Sequence, residues 1–230
     1  MIEIIPAIMA DSFEALHAMA AQVVGLVPVV QIDVMDGIFV PSTSWPYCSR
    51  DTTALQQPTT AVATLPLRQQ LAYEVDLRVA APAQAAPAWI QAGAQRVVIH
   101  LDSLDDPAAL LALLRGRYGD AVEVGIALGV DTPTEAIMPW VSAIDVVQCM
   151  GIATIGYQGQ PFEERVIPKI RQIRIAHPDV ALSVDGGVSL DTAPRLIAAG
   201  ANRLVSSSAI FQSGNIAAAI EQFKQCCHTK

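Results

Sequence analysis

With 230 residues, 52% of them hydrophobic and 16% charged, and a mean hydropathy of +0.40, the chain can bury a large core, which excludes disordered and collagen-like polymers. Its 22 Asp and Glu against 14 Lys and Arg give a net charge of -8, which opposes binding to nucleic acid or anionic lipid but leaves room for a small phosphorylated metabolite held by backbone N–H groups. Cys48, Cys149, Cys226 and Cys227 contain no pair with the spacing of a zinc or redox clip, no secretory leader is visible, and the uncharged run 146–162 is broken by Gly156, Gly159 and Gln160, so a reduced, cytoplasmic chain with no membrane span is expected.

In chain order, short apolar runs alternate with longer segments of helical spacing. Strands are predicted at Ile2–Ala7, Val29–Asp33, Ala72–Val79, Arg96–His100, Val122–Leu128, Ile144–Met150, Ala181–Val184 and Arg203–Val205. Helices are predicted at Ser12–Val24, loosely within Asp51–Gln70, then at Ala83–Gln91, Pro107–Arg117, Pro133–Val141, Glu163–Ala176, Asp191–Ala199 and Asn215–Gln225. Asp11-Ser12 and Asp106-Pro107 read as helix starts, while Gly93 and Gly200, each inside an Ala-Gly-Ala, read as stops.

Strands apolar at nearly every position need cover on both faces, which parallel sheets with helical crossovers provide. Eight such units, with no linker between halves, predict a single (β/α)8 barrel over residues 1–230; an open doubly wound sheet is the rival that periodicity alone leaves standing.

In such a barrel, polar residues at the carboxyl ends of strands are the ones to examine. Two segments stand out: Gln31-Ile32-Asp33-Val34-Met35-Asp36-Gly37, where an apolar strand ends in two carboxylates and a glycine, and Val184-Asp185-Gly186-Gly187. Alternation puts Gln31, Asp33 and Met35 on the inward face and Val30, Ile32 and Val34 beneath the helices. An inward carboxylate is costly unless paired, metal-bound or functional, so the bland alternative for Asp33 and Asp185 is a capped turn or a structural ion pair.

These segments carry a resemblance that spans nearly the whole chain. Ile5-Pro6-Ala7-Ile8-Met9-Ala10, Asp-Val-Met-Asp-Gly-x-Phe-Val-Pro at 33–41, Gly156-Tyr157-Gln158-Gly159-Gln160-Pro161-Phe162, Ile167-Pro168-Lys169-Ile170-Arg171, Val184–Gly187 and Ser208-Ala209-Ile210-Phe211 together resemble the ribulose-phosphate 3-epimerase family. The resemblance implies a TIM barrel of the ribulose-phosphate-binding type and a two-base epimerisation. One carboxylate takes the proton alpha to a ketose carbonyl and another returns it to the opposite face of an enediolate, with Asp33 and Asp185 at the two matching positions. It also implies a phosphorylated sugar as ligand, held around Gly156, Gly159, Gly186, Gly187, Ser207 and Ser208. Met9 and Met35 read as an apolar floor for the substrate or, equally well, as ordinary core packing.

Members of that family hold a divalent metal with two histidines and the two aspartates, and here both histidine positions differ: Gln31 and Asp76 stand in their places. Ala7 and Ala10 replace serines of the first loop, and Ser42 replaces an asparagine. Two outcomes stay open. Gln31, Asp33, Asp76 and Asp185 form an all-oxygen site suited to Mg2+ or Mn2+ rather than Zn2+, or the metal is absent and Arg78, on the same strand face as Asp76 where the family has methionine, supplies the positive charge. Three clustered carboxylates would not all stay ionised without some cation, and the placement of Arg78 favours the second outcome, with Arg78 as a plain ion-pair partner of Asp76 or Glu74 the bland alternative.

The expected function is that of a sugar-phosphate epimerase of carbohydrate metabolism. The alternatives are a non-catalytic sugar-phosphate-binding or regulatory barrel, or another isomerase or lyase on the same scaffold. The apolar composition also suggests a homo-oligomer.

Overall fold

A computed structural model describes residues 2–48, 64–157 and 159–226. Eight parallel strands close into a barrel in sequence order: β1 (Glu3–Ile8), β2 (Val29–Met35), β3 (Ala72–Arg78), β4 (Arg96–His100), β5 (Glu123–Leu128), β6 (Val146–Met150), β7 (Ala181–Asp185) and β8 (Arg203–Ser206). Around them the described residues form α1 (Phe13–Ala21), α2 (Pro82–Ala92), α3 (Pro107–Tyr118), α4 (Val166–Ala176), α5 (Ala193–Ala199), the single turn α6 (Ser208–Phe211) and α7 (Ile216–Cys226). Closure excludes the open doubly wound sheet.

The helix signals act as read. The Ser12 hydroxyl accepts the Ala15 N–H at 3.1 Å and the Asp106 carboxylate that of Ala109 at 3.0 Å, while Gly93 and Gly200 end their helices at φ 114° and 118°. Two expectations need correction. The stretch Pro133–Val141 is not an α-helix; it holds 3-10 turns at Thr134–Ala136 and Val141–Ala143, closed by three-residue hydrogen bonds such as Ile137 N–H to Thr134 C=O. Pro139 explains this, since it offers no N–H and its ring clashes with the preceding turn. The helix expected within Asp51–Gln70 lies mostly outside the described residues, and the part described, 64–70, has turns but no helix.

Side-chain alternation sorts the core into two regions. Outward residues such as Val30, Ile32 and Val34 join Leu16, Trp89, Ile170 and Phe223 from the helices in one large apolar layer. The barrel interior is instead divided. Val98, Ala127, Val146 and Met150 form one small apolar group and Ile5, Ala7, Val29 and Val205 another, and buried polar side chains occupy the space between them.

The amino ends of the strands are shut by charge. Glu3, Arg96, Glu123 and Arg203, from β1, β4, β5 and β8, form an ion-pair network with contacts of 2.8 Å (Arg96–Glu3) and 2.7 Å (Arg203–Glu123). Glu74 lies wholly buried, 3.8 Å from Arg203 Nη1. Burial pushes its carboxyl up to about 7, ahead of the opposing pull of Arg96 and Arg203. This charge layer closes the barrel axis at the amino ends of the strands.

Glu74 sets a pH dependence of stability. Between about pH 4.5 and about 7 the unfolded chain has released its proton while the folded chain keeps it, so stability falls as pH rises through that window, by up to about 3 kcal/mol. Urea unfolding of Glu74→Gln should lose this component of the slope, the variant gaining on the wild type as pH goes from 4.5 to 8. Parallel profiles for the two proteins would contradict it.

Candidate active site

Asp33 reaches the carboxyl end of the barrel because the exit of β2 is latched. The Ser44 hydroxyl donates to the Asp33 carbonyl at 2.7 Å and accepts the Met35 N–H at 2.9 Å, and the Ser44 N–H bonds the Met35 carbonyl at 3.1 Å. The second carboxylate of that segment has a different job. Asp36 accepts the N–H groups of Ile38, Phe39 and Ala80 at 2.8, 3.0 and 2.7 Å, so it caps the turn.

Asp185 is placed by glycines. Gly186 and Gly187 have φ of 94° and 66°, a region side chains rarely adopt. Gly151, at the end of β6, donates to the Asp185 carbonyl at 2.7 Å, and a Cβ there would lie 2.2 Å from the Gly186 carbonyl oxygen, so only glycine allows the approach.

Between the two aspartates stands Arg78. Its Nη2 lies 2.5 Å from Asp185 Oδ2 and 2.8 Å from Asp76 Oδ2, its Nε donates to Asp76 Oδ2 at 3.0 Å, and its Nη1 is 3.3 Å from Asp33 Oδ2. Parallel register sets Asp33 directly opposite Asp76 on the neighbouring strand. Gln31 bridges the two rim carboxylates, its amide N–H2 donating to Asp33 Oδ1 at 2.8 Å and Asp185 Oδ2 at 3.2 Å. Asp76 is fully buried and is also held by His100 Nε2 at 3.0 Å and Gln148 Nε2 at 3.3 Å.

This packing separates the three carboxyls electrostatically. For Asp185, burial is the largest influence; it exceeds the attraction of Arg78 and, with Asp33 and Asp76 nearby, lifts the carboxyl up to about 8. Asp33 is also raised, burial again outweighing Arg78. At Asp76, burial is outweighed by the charges and hydrogen bonds of Arg78 and His100, which together hold it well below the ordinary carboxylate range. Near neutral pH Asp76 is therefore ionised and Asp185 mostly protonated.

Each of Asp33, Asp76 and Asp185 offers an oxygen within 4.8 Å of the others, a spacing that could hold a divalent ion. The residues around them do not fit one. A cation bonded to all three carboxylates would need the space that the guanidinium fills, at like-charge contact. Gln31, expected as an oxygen ligand, turns its donor amide toward the carboxylates instead, and its Oε1 has no hydrogen-bond partner.

The cluster opens on a cavity of about 550 Å³, within the range of small-ligand pockets. Asp33, Arg78, Asp185, Gly159, Gly186, Gly187, Ser207 and Ser208 line it, as does Met9. Met35 and Gly156 do not. Met35 is fully buried, and Gly156 packs on Val40 and Ser42, where a Cβ would come within 3.2 Å. Asp76 also stands back from the cavity, behind Arg78. Gln148, Gly151 and Ser44 were not singled out from sequence. For Gln148 a signal existed, a lone amide in the apolar strand Val-Val-Gln-Cys-Met; the other two act through contacts between loops that no local pattern displays.

Residues 3–211 match the sequence model of the ribulose-phosphate 3 epimerase family. The chain is 32% identical to the ribulose-phosphate 3-epimerase of Bacillus subtilis (strain 168), over 97% of this chain and 99% of that protein. Among solved structures, KGPDC from Streptococcus mutans superposes with a TM-score of 0.70 at 18% identity, covering 97% of this chain and 96% of that one. A 3-hexulose-6-phosphate synthase superposes at 0.69 with 20% identity, over 97% and 99%. At those identities the two structures speak for the fold alone.

The raised carboxyl is directly measurable. In 13C NMR of the side-chain carboxyls, one resonance should titrate near pH 8 and vanish in Asp185→Asn; an Asp185 midpoint near 4 would contradict the electrostatics described above.

Proposed function

Because the chain belongs to the ribulose-phosphate 3-epimerase family, we propose that it inverts a carbon next to the carbonyl of a small ketose phosphate, using Asp33 and Asp185 as the proton-transfer pair. The observation that supports this reading is that the two carboxyls, from β2 and β7, line one cavity with oxygens within 4.8 Å and both bind protons more readily than a free aspartate.

The cycle requires Asp33 as carboxylate and Asp185 as carboxylic acid: Asp33 takes the proton from the carbon alpha to the carbonyl and the C–H electron pair moves into the enediolate. Asp185 then delivers its own proton to the other face of the same carbon. The two carboxyls have exchanged protonation states, which prepares the reverse reaction. Gln31, hydrogen-bonded to both, fixes their orientation. The phosphate is assigned to the Gly186-Gly187 turn and the Ser207-Ser208 segment, where the lining is hydroxyl and backbone and, among the described residues, contains no lysine. No step passes through a metal, since the residues present do not accommodate one.

A second reading, binding without turnover, draws on the ion pairing of both rim carboxylates to Arg78. Incubation with pentulose and hexulose phosphates in D2O separates the two. The epimerase reading expects one deuteron at the inverted carbon, and Asp33→Asn or Asp185→Asn to slow epimerisation about 100- to 10,000-fold. Calorimetric binding of a ketose phosphate without any deuterium uptake would instead establish a binding protein.

A further inference from the structure

An enediolate places negative charge on oxygen, and a buried site has to meet that charge with a donor already in position. Asp33, Arg78 and Asp185 are the charged groups among the described residues lining the cavity, so Arg78 is the cation facing the ligand. A guanidinium has five N–H bonds. Nε and Nη2 are committed, the first to Asp76 and the second to Asp76 and Asp185 at 2.8 and 2.5 Å. Nη1 is held more loosely, 3.3 Å from Asp33 Oδ2, beside the carboxylate that would take the substrate proton.

Asp76 explains how the guanidinium is aimed. Both Nε and Nη2 rest on one carboxylate oxygen, Oδ2, to which Gln148 also donates, while His100 holds the other, Oδ1. Asp76 and Arg78 lie two residues apart on one face of β3, so a single strand carries both the cation and its anchor.

We propose that Arg78 is a catalytic residue whose Nη1 N–H groups meet the enediolate oxygen, that Asp76 is its positioning residue, and that this pair makes the site independent of divalent metal. The proposal rests on the epimerase reading above and supplies its missing charge. Proton transfer stays with Asp33 and Asp185; Arg78 keeps its protons throughout and contributes donors and a positive field. Removing the guanidinium should turn the same three carboxylates into a cation site, because three buried aspartates within 4.8 Å then lack a counter-charge.

The test has a substrate-free arm and a kinetic arm. In Mn2+ titration followed by EPR and elemental analysis, the wild type should bind no stoichiometric metal and Arg78→Met one equivalent. In D2O exchange with the responsive ketose phosphate, EDTA should leave the wild type unchanged. Arg78→Met assayed with EDTA should lose about 100- to 1,000-fold in kcat. Arg78→Lys, which keeps the charge and guards against misfolding of the methionine variant, should retain more activity than Arg78→Met. Asp76→Asn should lower kcat with KM little changed, a split that general loosening of the fold would not produce. One equivalent of Mn2+ on the wild type, or loss of its activity in EDTA, would overturn the proposal while leaving the epimerase reading intact. A wild type that takes up no deuterium from any ketose phosphate would remove the epimerase reading, and the catalytic role with it, whatever the metal titration shows.

Discussion

Three carboxylates are crowded inside this barrel, and one guanidinium stands among them. Arg78 touches Asp33, Asp76 and Asp185 from within, each contact between 2.5 and 3.3 Å, in a space where all four side chains are almost wholly shielded from water. Removing such charges from solvent costs several kcal/mol for each ion unless they are closely paired. One cation cannot satisfy three anions equally. Asp76, doubly bonded to Arg78 and backed by His100, takes the negative charge, and the two rim carboxyls are left with elevated proton affinity. The unequal sharing of one positive charge thus leaves two carboxyls of raised proton affinity at the same cavity wall.

The architecture serves that arrangement. Polar side chains divide the barrel interior into two small apolar groups, so the structure relies on the outer layer between strands and helices for most of its apolar packing. The ion-pair network from Glu3 to Arg203 closes the opposite end of the barrel axis. Loops are pinned where they bear on the site: Ser44 latches the exit of β2 at Asp33, and Gly151 admits the diglycine after Asp185.

Much of this was legible in the order of residues. Strand alternation put Gln31 and Asp33 on one face and Asp76 and Arg78 on another inward face, and runs of apolar residues required cover on both sides of the sheet. What escaped is tertiary in origin. Pro133–Val141 has helical spacing, but Pro139 stops the ladder. Met35 has the alternation of a cavity residue, yet the chain that returns from Asp36 to Ser44 closes over that strand end and leaves it fully buried. Asp33 and Asp36 look alike in sequence and differ only because one side chain points into the barrel while the other finds three backbone N–H groups within reach. Asp76 read as a candidate metal ligand and does lie in the three-aspartate cluster; what the sequence did not display is that the register with Asp33 and the bonds from Arg78, Gln148 and His100 also pair it with a neighbouring arginine.

The account depends on the guanidinium occupying the centre of the carboxylate cluster. Anomalous diffraction from crystals soaked in Mn2+ measures that directly. It should show no manganese peak among Asp33, Asp76 and Asp185, with the Arg78 side chain ordered between them. A strong peak there, with Arg78 swung out into the cavity, would contradict it.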